Sequence, residues 1–529
     1  MLTTSSLPKY TVNRIVRKQA RAIVWPSYWP LVLILAMQAI ISLVTLRNTA
    51  FQDEALYLYA GRQLFHYWLG GPAPLDRYAF YFSGYPGLYP VIAGVLDMIG
   101  GLELARAYSL LCMMGINITI YYLAQKFFQR PSAIFASALY GSLGTVLYVG
   151  RLATFDAMCF CLVAVAALLA FQVSTSRRPW LALLIGPLLV LAVLTKYAAM
   201  LYVPAVLGIL IFCSLAYIGW WRMLIRLALA LLTLAASLYI AYQVVDKSMF
   251  HAIAGTTTDR TAFIQKSRLE LFTHVMQMAG IVYLAALVGV ILVYIYHRRL
   301  TLVALVMYGS SWLVPAYHIY KMEAVSLDKH FSLGLLFCAA LAGYALAWIS
   351  GFMQRTIANA NGRYWLSGLC VVLLVFVLGT QQSQTIFSGW ANTTDLSYAL
   401  HTQLRHASGR ILVEDIEVAR YDSEDITEEW QWNGVYYFYY SRPNQPALLG
   451  DPAIIQALKD RYFTTVELSF NYQPAEAQFI ARQMIASKNY DLVATVPFVN
   501  SYGTGHFYIW RSALEPGHGN FKSMSQVVV

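Results

Sequence analysis

Two adjacent carboxylates, Asp53 and Glu54, stand where an apolar run, residues 31–46, gives way to an amphipathic helical pattern over residues 51–68. Carboxylates there can do two kinds of work. One is proton transfer, with the side chain taking a proton from a nearby hydroxyl as general base. The other is helix capping: Asp53 suits an N-cap and Glu54 suits the positive end of the helix dipole. Capping asks for one carboxylate, so the pair points beyond it. Further charged residues recur at the edges of later apolar runs: Arg106, Arg151, Asp156, Lys196, and Lys329 followed by His330. Each alone has an ordinary explanation. Arg106 and Arg151 can snorkel, Asp156 can favour a helix start, and Lys196 can satisfy a turn.

The elements that position these residues follow from composition. Hydrophobic residues make up 59% of the chain and charged residues 12%. That balance describes a polytopic membrane protein and excludes a soluble globule. The net charge of +11 sits in short clusters between apolar runs, the pattern of topology signals and not of nucleic-acid binding. The six cysteines all lie in apolar runs without metal-ligand spacing and read as packing residues. The first thirty residues are long and basic, with no A-x-A site after Leu46, so the first span is expected to be a retained anchor.

Eleven spans are expected: 31–46, 104–124, 132–149, 155–173, 180–195, 197–218, 224–244, 275–296, 301–317, 330–349 and 364–380. The run at 88–99 is too short to cross, since a crossing helix needs about 20 residues. It contains Asp97 and reads as an interfacial helix closing a long first loop, residues 47–103. Lys9, Arg14, Arg17, Lys18 and Arg21 put the N-terminus in the cytosol by the positive-inside rule. With this count every cytosolic loop carries Lys or Arg and none carries Asp or Glu, whereas treating 88–99 as a span would invert all later loops. Asp53 and Glu54 then face the extracytoplasmic side.

From Gln381 onward the chain turns soluble. Strands are expected at 410–414, 463–469, 492–497 and 506–510, and helices at 451–459 and 474–487. The organisation is therefore a cytosolic basic N-terminus (1–30), a transmembrane region (31–380) and an extracytoplasmic mixed α/β domain (381–529). Tyr436, Tyr437, Tyr439 and Tyr440 suit either a sugar-stacking surface or an aromatic strand core. The last dozen residues are expected to be disordered.

On this topology Arg106, Arg151, Lys196, Lys329 and His330 collect on the side where basic residues are disfavoured. That argues for an anionic ligand, with a phosphate at the leaflet surface the natural candidate. Nucleotide donors are scarce there, so an activated substrate has to arrive in the lipid. The stretches Gln52-Asp53-Glu54-Ala55-Leu56-Tyr57, Gly84-Tyr85-Pro86-Gly87-Leu88, Arg106, Gly150-Arg151-Leu152-Ala153-Thr154-Phe155-Asp156-Ala157 and Leu194-Thr195-Lys196-Tyr197 resemble the GT-C glycosyltransferases of the protein O-mannosyltransferase and aminoarabinose (lipid A) transferase type, in a bacterial version. The resemblance implies an α-helical polytopic GT-C membrane protein with about 11 transmembrane helices and a C-terminal extracytoplasmic mixed α/β domain.

The resemblance further implies transfer of a sugar, with inversion, from a polyprenyl-phosphate donor to a lipid, glycan or protein acceptor in the cell membrane. Asp53 would be the general base or acceptor-orienting carboxylate, with Glu54 and Asp156 as further catalytic carboxylates. Arg106, Arg151, Lys196, Lys329 and His330 would hold the donor phosphate. At Lys329-His330-Phe331 the sequence departs from relatives, which often carry an Arg-Tyr pair followed by proline. No cofactor is expected, and a divalent cation at Asp53 and Glu54 would have only two ligands, too few for a site. A flippase of lipid-linked sugars is the competing class. Its midplane polar groups are represented by Asn117 alone, and no inverted repeat is apparent. A scaffold reading cell-wall material through the C-terminal domain is the third.

The topology carries its own test. On a cysteine-free background, a cysteine at position 298 should resist an impermeant thiol reagent outside the cell. Labelling of that position from outside would overturn the eleven-span arrangement.

Overall fold

The computed structural model describes residues 28–80, 82–247, 249, 253, 255, 264–356, 365–404, 408–436 and 438–513. The basic cluster from Lys9 to Arg21, together with Arg363, Tyr437 and the chain end from residue 514, lies outside the described residues. Among the described residues, eight helical stretches are long and apolar enough to cross a membrane. Two shorter apolar ones, Trp29–Thr45 and Pro179–Thr195, accompany them. They fall on the apolar runs read from the sequence.

The longest stretch, Tyr89–Ser142, is not one rod. Its backbone leaves helical geometry at Gly100, Gly101 and Gln129. The Ser137 hydroxyl donates to Asn117 Oδ1 at 2.7 Å. Those residues are 20 apart in sequence, about 30 Å along a straight helix, so the chain reverses between them at Gln129. Tyr89 and Ser109, also 20 apart, meet at 3.5 Å across the break at Gly100 and Gly101. The short helix at 89–99 therefore lies back along the first of two antiparallel helices. Asn117 also donates to Gln38 at 3.0 Å, tying the helix Trp29–Thr45 to this pair.

Several boundaries differ from expectation. The helix expected from Val275 begins at Arg268, because Ser267 and Glu270 form a reciprocal capping box that starts it earlier. The stretch expected at 301–317 breaks at Trp312 into Thr301–Ser311 and Leu313–Lys321. The next helix is Leu327–Thr356, so Lys329 and His330 lie in its first turn. This helix is central and almost wholly buried, while Trp220–Val244 presents Leu231, Leu232, Leu238 and Ile240 outward.

Close backbone packing sets the first loop. A side chain on Gly61 would place its Cβ 1.8 Å from the carbonyl oxygen of Pro90, and one on Gly94 would meet the Arg62 nitrogen at 2.6 Å. The helix Gln52–Trp68 thus rests on the 89–99 helix with no side chain between. Gly84 faces the Thr195 carbonyl at 2.1 Å in the same sense. There Tyr85 N–H donates to Leu194 O at 2.6 Å and Tyr197 N–H to Ser83 O at 2.7 Å, so the Gly-Tyr-Pro-Gly stretch is pinned to the Lys196 turn.

The C-terminal region is a mixed α/β layer. Its strands are β1 Arg410–Val413, β2 Trp432–Gly434, β3 Tyr439–Tyr440, β4 Leu448–Leu449, β5 Phe463–Leu468, β6 Tyr490–Asn500 and β7 Gly503–Ser512. One sheet runs β2-β1-β5-β7-β6, and β3 pairs separately with β4. β1 is parallel to β2 and β5, while β7 is antiparallel to β5 and β6. Helices Asp451–Lys459 and Pro474–Ser487 form as read, with Ile454, Leu458, Ile480 and Met484 buried. Tyr440 bonds to Asp460 at 2.8 Å, while Tyr439 is exposed. Several short elements escape the sequence reading, among them β2, β4 and the helices Thr394–Leu404 and Ile416–Asp422.

The Gly61 contact predicts that Gly61→Val lowers thermal stability by about 1–3 kcal/mol, the usual cost of overpacking. Gly351, with nothing within 4 Å of a built Cβ, gives the control Gly351→Ala. Equal melting temperatures for the two variants in detergent would remove the backbone contact from the fold.

Candidate functional site

The helix Gln52–Trp68 starts with Phe51 as its N-cap. Capping falls to Glu54, whose carboxylate accepts the Phe51 N–H at 2.8 Å. This corrects the expectation that Asp53 suits the cap. Asp53 lies in the first turn with its side chain 31% exposed, ion-paired to Lys329.

Glu54 is fully buried and saturated. It accepts from Arg106 Nε at 2.8 Å, Arg106 Nη2 at 2.7 Å and the Ala153 N–H at 2.7 Å. The remaining Arg106 donors reach the carbonyls of Asn48 at 2.8 Å and Thr49 at 3.0 Å. Arg106 was expected among the phosphate-holding cations. Its guanidinium is instead wholly buried and spent on Glu54 and the loop backbone, so it has no open face for a ligand. Arg151 is also buried. Its Nε donates to Leu46 O at 3.0 Å, its Nη2 pairs with Glu103, and its Nη1 has no partner among the described residues.

The other expected residues meet in a second cluster. Asp156, buried in the first turn of Phe155–Thr175, pairs with Lys196 and accepts from Thr154 Oγ1 at 3.0 Å. Lys196 Nζ lies 4.6 Å above the Phe155 ring and 2.8 Å from His330 Nε2. His330 Nδ1 is 3.1 Å from His318 Nε2, and His318 Nδ1 is 2.8 Å from the Glu323 carbonyl oxygen. Lys329 Nζ, one residue before His330, also lies 5.3 Å over the Phe51 ring. The structure thus joins Asp53 with Lys329, and Asp156 with Lys196 and His330, at the head of one central helix. Sequence reasoning missed Glu103 and His318. Glu103 lies one turn before Arg106, a spacing that could have drawn attention to it.

The C-terminal region closes over the first loop. Helix Ile416–Asp422 packs Val418 against Ala50 and Ala55. Arg62 bridges Asp97 and Glu424, at 2.6 Å each, and Tyr421 donates to Asp97 at 3.0 Å. Arg420 reaches Asp76 at 2.7 Å and stacks 4.4 Å over Tyr59. Buried Glu414 accepts the backbone N–H groups of Ser469, Phe470, Tyr472 and Gln473 at 2.6–2.8 Å. That shapes the loop whose Tyr472 bonds to Gln52, next to Asp53. Burial pushes the Asp415 carboxyl up to about 7 and the Asp422 carboxyl up to about 6.

Residues 88–245 match the family model of dolichyl-phosphate-mannose-protein mannosyltransferase. No curated protein matches the chain in sequence. Among solved structures, the chain is similar to the apo oligosaccharyltransferase of Archaeoglobus fulgidus, at 12% identity and a TM-score of 0.55, over 91% of this chain and 74% of that one. It is similar to ArnT from Cupriavidus metallidurans bound to undecaprenyl phosphate, at 12% identity and a TM-score of 0.54, over 91% of this chain and 98% of that one. Arabinofuranosyltransferase AftD from Mycobacteria gives 14% identity and a TM-score of 0.52, over 93% of this chain and 40% of that one. The shared feature is the GT-C fold, a helical membrane region carrying, in this chain, a C-terminal α/β layer.

Glu54→Gln should destabilise the protein by about 3–5 kcal/mol, because it strands a buried guanidinium. Asp53→Asn keeps an oxygen for Lys329 at a partly exposed position and should cost much less. Thermal unfolding of both variants checks this. Equal losses would show that Glu54 is not the structural member of the pair.

Proposed function

We propose that this GT-C-fold chain is a membrane glycosyltransferase moving a sugar from a polyprenyl-phosphate donor to a hydroxyl acceptor on the extracytoplasmic side. The observation that carries the reading is the Asp53–Lys329 pair: a part-exposed carboxylate, free of capping duty, beside a buried cation in this fold. The match of residues 88–245 to the mannosyltransferase family model supports it, as does undecaprenyl phosphate bound to a protein of the same fold.

In this reading the donor phosphate takes the place of internal carboxylates on Lys329 and Lys196, with Arg151 Nη1 offering a further donor. Once Lys329 turns to the phosphate, Asp53 is free to accept the proton of the acceptor hydroxyl. The hydroxyl oxygen bonds to the anomeric carbon as the carbon–oxygen bond to the phosphate breaks on the opposite face, giving inversion. The polyprenyl phosphate leaves already ionised, so the cations stabilise departing charge and no acid has to protonate it. Until the phosphate arrives, Asp156 holds Lys196 in place. Glu54 and Arg106 hold the loop and touch neither substrate. A transport role draws no support from Asn117, whose side chain is spent on Gln38 and Ser137.

Purified protein in nanodiscs, given a polyprenyl-phosphate sugar, should transfer it. Asp53→Asn should cut turnover by about two to four orders of magnitude, the worth of a positioned base, with a melting temperature near the parent's. A normally melting Asp53→Asn protein that transfers at the parent rate would take Asp53 out of the chemistry.

A further inference from the structure

We propose that His318 and His330 are positioning residues for Lys196, forming a two-imidazole relay that keeps its ammonium charged and aimed. The proposal rests on the reading of Lys196 as a cation for the donor phosphate. An ammonium can only donate, so His330 Nε2, 2.8 Å from Lys196 Nζ, carries no proton. A ring bare at Nε2 is neutral and protonated at Nδ1. His330 Nδ1–H therefore donates across 3.1 Å to His318 Nε2, which is bare in turn. His318 then holds its proton on Nδ1, and that N–H meets a carbonyl, the Glu323 oxygen at 2.8 Å, which can only accept. Every bond in the series has one donor and one acceptor with no proton left over.

With the same number of protons, two other arrangements keep all three bonds, and both leave Lys196 a neutral amine. In one His330 is an imidazolium and His318 stays neutral; in the other His330 is protonated only at Nε2 and His318 is the imidazolium. Asp156 selects against both. Its buried carboxylate is paired with Lys196, and a neutral amine there would leave that charge weakly compensated. The other charged groups nearby are committed. Lys329, on the same helix as His330, is paired with Asp53. The Glu323 carboxylate accepts the N–H groups of Ile264 at 3.3 Å and Val325 at 2.9 Å. The far end of the relay is anchored twice, because Glu323 N–H also donates to the His318 carbonyl at 3.1 Å.

One consequence changes the role expected of His330. With Nε2 bare and Nδ1–H given to His318, neither ring nitrogen has a proton to offer a phosphate. His330 acts through Lys196, and His318, buried one layer behind, fixes which tautomer His330 adopts.

Imidazole 15N spectra of histidine-labelled protein in nanodiscs near neutral pH test the relay without any donor. Spectra of His330→Gln and His318→Gln identify the two sets of signals. Both rings should appear as neutral Nδ1–H tautomers; an Nε2–H tautomer or an imidazolium at His330 overturns the relay. Undecaprenyl phosphate binding then tests what the relay does. His318→Phe, which removes the acceptor for His330, should bind about tenfold more weakly, the scale of one buried hydrogen bond. His318→Gln, whose amide keeps one donor and one acceptor, should bind within about threefold of the parent. Equal weakening in both variants, or none in either, overturns the positioning role. If the parent holds no undecaprenyl phosphate while the tautomers are as stated, the phosphate-site reading fails and the relay stands.

Discussion

The buried pair of Glu54 and Arg106 is the constraint on which the rest of the site depends. Between them these two side chains satisfy the Phe51 and Ala153 amides and the Asn48 and Thr49 carbonyls. Neither partner can let go without leaving a bare charge in a low-dielectric interior. The end of the first helix, the start of the loop helix and the Ala153 turn are therefore held as one unit. Successive residues on a helix project about 100° apart. Turning Glu54 inward accordingly swings Asp53 to the side, where Lys329 meets it. An acid spent on buried contacts thus aims the acid beside it.

The cations are neutralised before any ligand arrives. Lys329 has Asp53, Lys196 has Asp156 and Arg151 has Glu103. A ligand anion that engages these lysines has to exchange for a carboxylate already there, and its affinity is the difference between two ion pairs. Bulk anionic headgroups bring charge and little else to that exchange. Shape, further hydrogen bonds and contact along a lipid chain then decide which phosphate gains a hold.

Much of this was legible in the residues themselves. Apolar run lengths located the membrane helices, and the alternating pattern located β1, β5, β6 and β7. The motif residues did come together, Asp53 with Lys329 and Asp156 with Lys196, because charges at the edges of apolar runs have few other places to go. What stayed hidden was direction. Nothing in the order Asp53-Glu54 tells which of the two caps and which stands open, and Arg106 reads as a rim cation until its inward partner is seen. His318 is unremarkable in sequence, since its partner His330 lies 12 residues away, and Glu103 shows only its spacing to Arg106 while its partner Arg151 lies 48 residues on. The helix Ile416–Asp422 is too short to show a period, and its importance lies in what it covers.

The docking of the C-terminal region has a consequence for how the chain is made. Gln52 meets Tyr472 across 420 residues and Arg62 meets Glu424 across 362. Chains grow at roughly 5–20 residues per second, so the first loop waits on the order of 20–80 seconds for the segment that covers it. During that interval Arg62 lacks Glu424, and Tyr59 lacks the Arg420 guanidinium that later covers it. A ribosome that stops before Tyr472 leaves a set of inserted helices whose first loop has never been closed, and completion of the last strands of the sheet becomes the step that matures the site.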